Sequence, residues 1–194
     1  MGTAIEVIRP KTTPAPIDTE YLIRFGVLLA ALIILVILVY SPGITGPFLF
    51  DDVTNLRPLG EDGGVSSWST FTQFVFTNPS GPTGRPVSML SFLIDAQSWP
   101  PNIASFKYTN IMIHVLCGLM LCWLVSELFQ ILGLSVHRSA LLGLLAAAVW
   151  LLHPFNGSTT LYVVQRMTQL MTLFALASLL CYLKGRRLSL SNSR

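Results

Sequence analysis

Residues Tyr21–Tyr40 read YLIRFGVLLAALIILVILVY, an unbroken apolar run whose one charge is Arg24, near its start. A hydrocarbon core of roughly 30 Å needs about 20 such residues in helical form. The run therefore has the length and composition of a membrane span. A cleavable signal peptide is also apolar. However, Glu6, Asp18 and Glu20 precede this run, and no small-x-small cleavage site follows Tyr40, so an uncleaved span is the better reading.

The rest of the chain agrees. Of its 194 residues 52% are apolar and only 11% are charged, against about 25% charged residues in soluble domains. The mean hydropathy is +0.64. These values argue against a disordered chain, a nucleic-acid tail and an ordinary soluble enzyme, and no nucleic-acid partner is expected. Three more apolar runs follow. Tyr108–Leu134 is charge-free as far as Ser126, with Glu127 near its far end. Ser139–Leu152 is short and is stopped by His153-Pro154, because proline disfavours helix at the residue before it. Leu161–Leu183 has Arg166 near its start. The expected fold is an all-α integral membrane protein, with four transmembrane helices and a large external first loop carrying interfacial helices. Its parts are a lead, 1–20, a transmembrane region, 21–183, and a basic tail, 184–194. The spans lie at about 21–40, 108–134, 139–153 and 161–183, and the loop is 41–107.

Charge placement orients this arrangement better than the net charge of +3 does. With the N-terminus in the cytoplasm, the cytoplasmic segments hold Arg9, Lys11, Arg24, Arg138, Lys184, Arg186, Arg187 and Arg194. The far side holds Arg57, Arg85 and Lys107 in the loop and Arg166 at a helix entrance. That is the positive-inside asymmetry, and it predicts a multi-pass protein with both termini cytoplasmic. Cys117, Cys122 and Cys181 all fall inside predicted spans. They read as small apolar packing residues, with no disulfide framework. No Cys/His spacing suggests a metal, and no cofactor is expected.

The loop is too long for a connector. It is rich in aromatics, and Trp68–Phe76, WSTFTQFVF, suits a helix lying in the membrane interface. Asp51 and Asp52 directly follow Phe48-Leu-Phe. Adjacent carboxylates beside a bilayer should raise at least one pKa, which fits a general base. On residue type alone a cap on a helix starting at Val53 is the favoured reading for either, and the two roles are compatible. Arg85 offers a fork suited to phosphate; a lipid headgroup or Asp51, Asp52 or Asp95 would occupy it as well. Lys107 could snorkel to the interface. His114 is an ionisable group within a span, a functional candidate or a hydrogen-bonded bundle residue. Glu127 is placed to pair with Arg138. His153 and Arg166 flank a short turn on the same side as the acidic pair. Asn156-Gly157-Ser158 fits a glycosylation sequon, though Asn-Gly is also a plain turn former.

Several motifs then occur in a set order: Phe48-Leu-Phe-Asp-Asp52, Gly84-Arg-Pro-Val-Ser-Met-Leu-Ser-Phe92, Phe106-Lys-Tyr-Thr-Asn-Ile-Met-Ile-His114, His153-Pro154 and Leu161-Tyr-Val-Val-Gln-Arg166. Together they resemble the N-terminal part of the GT-C membrane glycosyltransferases, most of all the transmembrane and tetratricopeptide-repeat O-mannosyltransferases and their bacterial relatives. The resemblance covers roughly residues 20–187. It implies transfer of a sugar from a polyprenyl or dolichyl phosphate to a hydroxyl of a protein or glycan, on the external face of a bacterial inner membrane or the endoplasmic reticulum. Asp51 or Asp52 would be the base, with Asp51 preferred. Arg85, Arg166 and Lys107, with His153 adding a hydrogen bond, would hold the lipid phosphate. Relatives often carry histidine where Lys107 stands. They also have more spans, so the chain would correspond to the front of such an enzyme. Two other readings stay open. One is a non-catalytic membrane subunit or scaffold on the same fold. The other is a transporter fragment, which the scarcity of polar residues through the spans disfavours.

Overall fold

The computed structural model describes residues 18–77 and 84–192. Arg9 and Lys11 of the lead, the segment 78–83 and Arg194 of the tail, which the charge and loop readings used, lie outside the described residues.

Among the described residues the chain is all helical. Three helices are long and apolar enough to cross a membrane. The first is α1 (Thr19–Tyr40) with the short turn Ser41–Gly43. Asp18 begins it by accepting the Glu20 N–H at 3.1 Å. The second is α5 (Ile103–Ile131). It starts ahead of the predicted Tyr108 because the Asn102 side chain caps it, accepting from the Ala104 N–H at 3.1 Å. Gly133, with φ at +92°, lets the chain turn away after its end. The third is α8 (Arg166–Asn192) with the tight turn Val163–Gln165 before it. It runs on through Lys184, Arg186 and Arg187 of the basic tail.

The predicted span 139–153 becomes α6 (Val136–Leu151), which Ser135 caps. It is apolar but has only 16 residues, about 24 Å at the helical rise. α5 is the central helix, packed on α6 on one side and α8 on the other. Small residues let α5 and α6 approach closely. A Cβ at Gly118 would meet the Leu151 side chain at 2.6 Å, and one at Gly143 would lie 2.4 Å from the Cys122 carbonyl oxygen.

The helices alternate in direction. At one end the Tyr21 hydroxyl donates to the His137 carbonyl, joining α1 to the start of α6. There Glu127 at the end of α5 pairs with Arg187 of α8, and Lys184 lies 3.9 Å over the Trp123 ring. The expected Glu127–Arg138 pair is thus replaced, because the extended α8 brings Arg187 to the same carboxylate. At the other end the Leu151 carbonyl accepts from the Tyr40 hydroxyl and from His114 Nε2, each at 3.1 Å. His114 is a latch between three helices. Cys117 and Cys122 are buried as expected, whereas Cys181 is exposed on α8.

The segment between α1 and α5 folds onto this second end. It contains α2 (Asp51–Leu56), a tight turn Arg57–Gly63, α3 (Trp68–Phe76) and α4 (Pro86–Phe92). α3 covers the residues whose aromatic spacing predicted it. It begins at a capping box in which Ser67 and Thr70 each accept the other's backbone N–H. Leu56, Leu59, Phe74, Met89, Phe92, Phe106 and Val163 close a core there that is separate from the bundle's. Each fully buried side chain contributes roughly 1.5–3 kcal/mol, and because Phe106 and Val163 lie outside the segment the core also fastens it to the bundle.

Candidate functional site

The chain reaches the acidic pair through a strained turn. Phe50 sits at φ 38° and ψ −109°, close to the first central position of a type II′ turn, which glycine normally fills. The turn is closed by the Asp52 N–H donating to the Leu49 carbonyl at 2.8 Å. α2 then begins at Asp51 itself, so neither carboxylate caps a helix starting at Val53.

The two acids are held differently. Asp52 is fully buried. Its Oδ2 accepts the Leu49 N–H and its Oδ1 the Val164 N–H, both at 2.8 Å. It thereby ties the entry of α2 to the entry of α8. Burial pushes its carboxyl above the usual range, and the N–H bonds and the Lys107 charge oppose that. Asp51 is exposed. Its structural bonds are made by its backbone: its N–H donates to the Tyr162 hydroxyl oxygen at 3.0 Å and its carbonyl accepts from Asn55 at 2.8 Å. The Tyr162 phenol lies beside this exposed residue. Burial, and then the charges of Asp51 and Asp52, hold that phenol above its ordinary value.

The basic residues divide the same way. Lys107 is buried, and its ammonium donates to the Gly43 and Gly46 carbonyls at 2.9 and 2.8 Å. It closes the turn after α1 and does not snorkel. Arg166 is fully buried. Its Nε donates to Asn110 Oδ1 at 2.7 Å, Nη1 to the Ser91 carbonyl and Nη2 to the Phe106 carbonyl at 2.9 Å each. Asp95 Oδ2 pairs with Nη2 at 2.5 Å, and the Phe92 ring lies 4.7 Å from the guanidinium carbon. Arg85 is exposed and left-handed, at φ 46° and ψ 54°. Among the described residues its Nη1 donates to the Met167 thioether, at 2.9 Å, a weak acceptor that leaves the fork able to take a stronger one. Met167 packs in the core formed by Leu56, Val163 and Val164, so Arg85 lies over the junction that Asp52 braces.

His153 is exposed at the end of α6, and its Nδ1 accepts the Phe155 N–H at 3.2 Å. It lines a separate hollow of about 500 Å³ with Trp150, Phe155 and Asn156. Asn156 of the sequon donates its side-chain amide to the Trp150 carbonyl at 2.6 Å. The structure thus gathers Asp51, Asp52, Arg85, Lys107 and Arg166 around one junction and sets His153 apart.

Sequence reasoning did not single out Asn110, which donates to the Tyr162 and Val163 carbonyls at 3.3 and 3.2 Å while accepting from Arg166. It also passed over Tyr162. A polar residue one turn before His114 on an apolar helix was the available signal. Among the described residues no cluster of His, Cys, Asp and Glu could hold a metal ion.

The strain at Phe50 gives a direct test. A non-glycine residue in so sparsely populated a region costs on the order of 1–3 kcal/mol. Against that, the exposed Phe50 ring touches Tyr162 edge-on, at 5.9 Å between centroids, worth about 0.5–1.5 kcal/mol. Phe50→Gly is expected to be neutral or stabilising by about 1 kcal/mol in detergent melting, and Phe50→Val clearly destabilising.

No family model, no curated protein and no solved structure matches this chain.

Proposed function

We propose that this chain is the N-terminal part of a GT-C-type glycosyltransferase that takes its sugar from a polyprenyl or dolichyl phosphate. In this reading α1, α5, α6 and α8 all cross the membrane, and the cap of α2–α4 lies on the external face. The observation that carries it is the sorting of ionisable residues. Asp52, Lys107 and Arg166 are buried in the frame, while Asp51 and Arg85 are exposed beside the same junction. A carboxylate and a guanidinium with a weak acceptor at the membrane end suit a single displacement on a lipid-phosphate sugar. Asp51 removes the proton of an acceptor hydroxyl as its oxygen attacks the anomeric carbon. The lipid phosphate leaves with the bond electrons, and Arg85 stabilises its charge. Asp52, Lys107 and Arg166 hold the two groups in place. His153 is further off and is available to the lipid.

The orientation follows from charge. The exposed cations at the α2–α4 end are Arg57 and Arg85, since Lys107 and Arg166 are enclosed. The opposite end exposes Arg24, Arg138, Lys184, Arg186 and Arg187. That end then faces the cytoplasm. The alternative, a non-catalytic subunit on this frame, draws on the internal bonding of the three buried ionisable residues, which a scaffold would need equally.

Donor binding separates them. The full chain in nanodiscs is titrated with a polyprenyl-phosphate hexose. Arg85→Ala is expected to weaken binding about tenfold or more, from the loss of a charge-assisted bond. No binding by the unaltered chain, or equal binding by Arg85→Ala, contradicts the reading.

The cap should also touch lipid. α3 and α4 carry no charge, and Trp68, Phe76, Leu90 and Ile94 are exposed on them or just beyond. Trp68 fluorescence is expected to be quenched by lipids brominated near the headgroup more than by those brominated at the chain ends. Equal quenching, or none, would remove the interfacial placement.

A further inference from the structure

The far ends of α5 and α8 carry a second set of charges that the junction does not use. α8 follows the short helix α7 (Asn156–Leu161) and the turn Val163–Gln165, and its first residue is the enclosed Arg166. It has no charge from Met167 to Leu183; Lys184, Arg186 and Arg187 then come close together. Arg186 is twenty residues beyond Arg166, about 30 Å at the helical rise, which matches the thickness of a hydrocarbon core. α5 repeats the spacing. Lys107 and Glu127 are twenty residues apart, with no Asp, Glu, Lys or Arg between them. With the junction at one boundary of the membrane, the α8 cations and Glu127 therefore arrive at headgroup depth on the other.

There they form a joined set. The Lys184 ammonium lies 3.9 Å over the Trp123 ring, Trp123 Nε1 donates to Glu127 Oε1 at 3.3 Å, and Arg187 pairs with Glu127 Oε2. Lys184 and Arg187, three residues apart, share the α8 face that meets α5. Arg186 lies on another face, exposed, with no ion-pair partner among the described residues. Three cations against one carboxylate leave a net charge of +2, and Arg187 stays 52% exposed beside its partner. Trp123 is exposed too, and an indole suits the boundary between lipid tails and headgroups. We propose that Lys184, Arg186 and Arg187, beside Trp123, hold the phosphate headgroup of an anionic phospholipid. Charge complementarity selects that class, because a zwitterionic headgroup brings its own cation to the site. Glu127 keeps Arg187 in place when no lipid is bound and competes with the phosphate for its fork. The other cations of this end stand apart: Arg24 is paired with Glu20, and Arg138 lies on α6, across α5 from α8. The proposal shares with the transfer reading only the premise that α5 and α8 cross the membrane.

The test is electron spin resonance of the full chain in phosphatidylcholine vesicles at low salt, comparing spin-labelled phosphatidylglycerol with spin-labelled phosphatidylcholine. The unaltered chain is expected to prefer phosphatidylglycerol by about fivefold or more. Lys184→Gln with Arg186→Gln is expected to bring the ratio near one. Arg57→Gln, at an exposed cation of the opposite end, is expected to leave it unchanged. Glu127→Gln is expected to raise it by about twofold, since it removes the internal competitor of an exposed pair. A gain cannot come from a chain that fails to fold, so Glu127→Gln remains decisive if the double variant is unstable. No preference by the unaltered chain, an equal fall with Arg57→Gln, or a ratio that Glu127→Gln leaves unchanged or lowers overturns the proposal. No sugar donor enters the measurement, so a failed preference leaves the transfer reading standing, and failed transfer leaves the lipid site standing.

Discussion

Asp52→Ala is expected to cost about 1–4 kcal/mol of stability, and Asp51→Ala, one residue earlier, less than about 0.5 kcal/mol. The asymmetry follows from where the bonds are. Removing the Asp52 carboxylate leaves the buried Val164 N–H and the part-buried Leu49 N–H without an acceptor; an orphan costs about 1–3 kcal/mol where it is buried and less where water reaches it. Removing the Asp51 carboxylate leaves its backbone bonds to Tyr162 and Asn55 in place. Asp52→Asn should fall between, since an amide offers one acceptor oxygen where two N–H groups need one. Asp52 also gives the pH dependence a sign. Its carboxyl titrates above its ordinary value because burial penalises the charge, so the folded state binds that proton more tightly than the unfolded chain does. This contribution is fully present below the ordinary carboxylate pKa and is lost as pH rises through the raised one. Asp52→Asn should flatten that part of the stability profile. Thermal melting in detergent across mildly acidic pH reads both effects; equal losses at the two aspartates would refute the division of roles.

Arg166→Met is expected to cost about 3–5 kcal/mol, because it leaves a buried carboxylate uncompensated. The side chain is fully enclosed, and Asp95 is nearly so. Asp95 has one other partner, the Thr109 hydroxyl at 2.5 Å, which cannot neutralise it. Arg166→Lys should rescue little, since a point charge cannot reach Asn110, Ser91, Phe106 and Asp95 as a fork does. The double variant Arg166→Met with Asp95→Leu should regain part of the loss, as removing both charges usually does. It should not regain all of it, because the Ser91 and Phe106 carbonyls and Asn110 Oδ1 still lose their donor. Full tolerance of Arg166→Met would mean that the guanidinium is not the clasp between α4, α5 and α8.

Much of the fold was legible because hydrophobic runs and caps are local. α1 and α3 fall on their predicted residues, since an uninterrupted apolar stretch and an aromatic spacing need no partner to be recognised. The ends of α5 and α6 were less accessible, because Asn102 and Ser135 extend each helix upstream of its apolar core. The helical course of the basic tail was not accessible for a related reason: it carries no apolar pattern, and Lys184 and Arg187 of α8 meet Trp123 and Glu127 on another helix. At the site, residue type identified Asp51, Asp52, Arg85, Lys107 and Arg166 as a group. It did not tell the exposed members from the buried ones. That difference arises from contacts across 56 to 112 positions in the chain, which no local pattern records. For the same reason Asn110 and Tyr162 were passed over, since each acquires its role from a distant partner.

The most direct measurement is sugar transfer in membranes carrying the protein, from a radiolabelled polyprenyl-phosphate donor to a hydroxyl acceptor. Asp51→Asn is compared with the unaltered protein at equal amounts of folded chain. Loss of a general base lowers such rates by about 10²–10⁴-fold, so the account predicts transfer by the unaltered protein and at least a hundredfold less with Asp51→Asn, at unchanged melting temperature. Transfer that survives Asp51→Asn undiminished, or no transfer by the unaltered protein while it stays folded and binds donor, would contradict it.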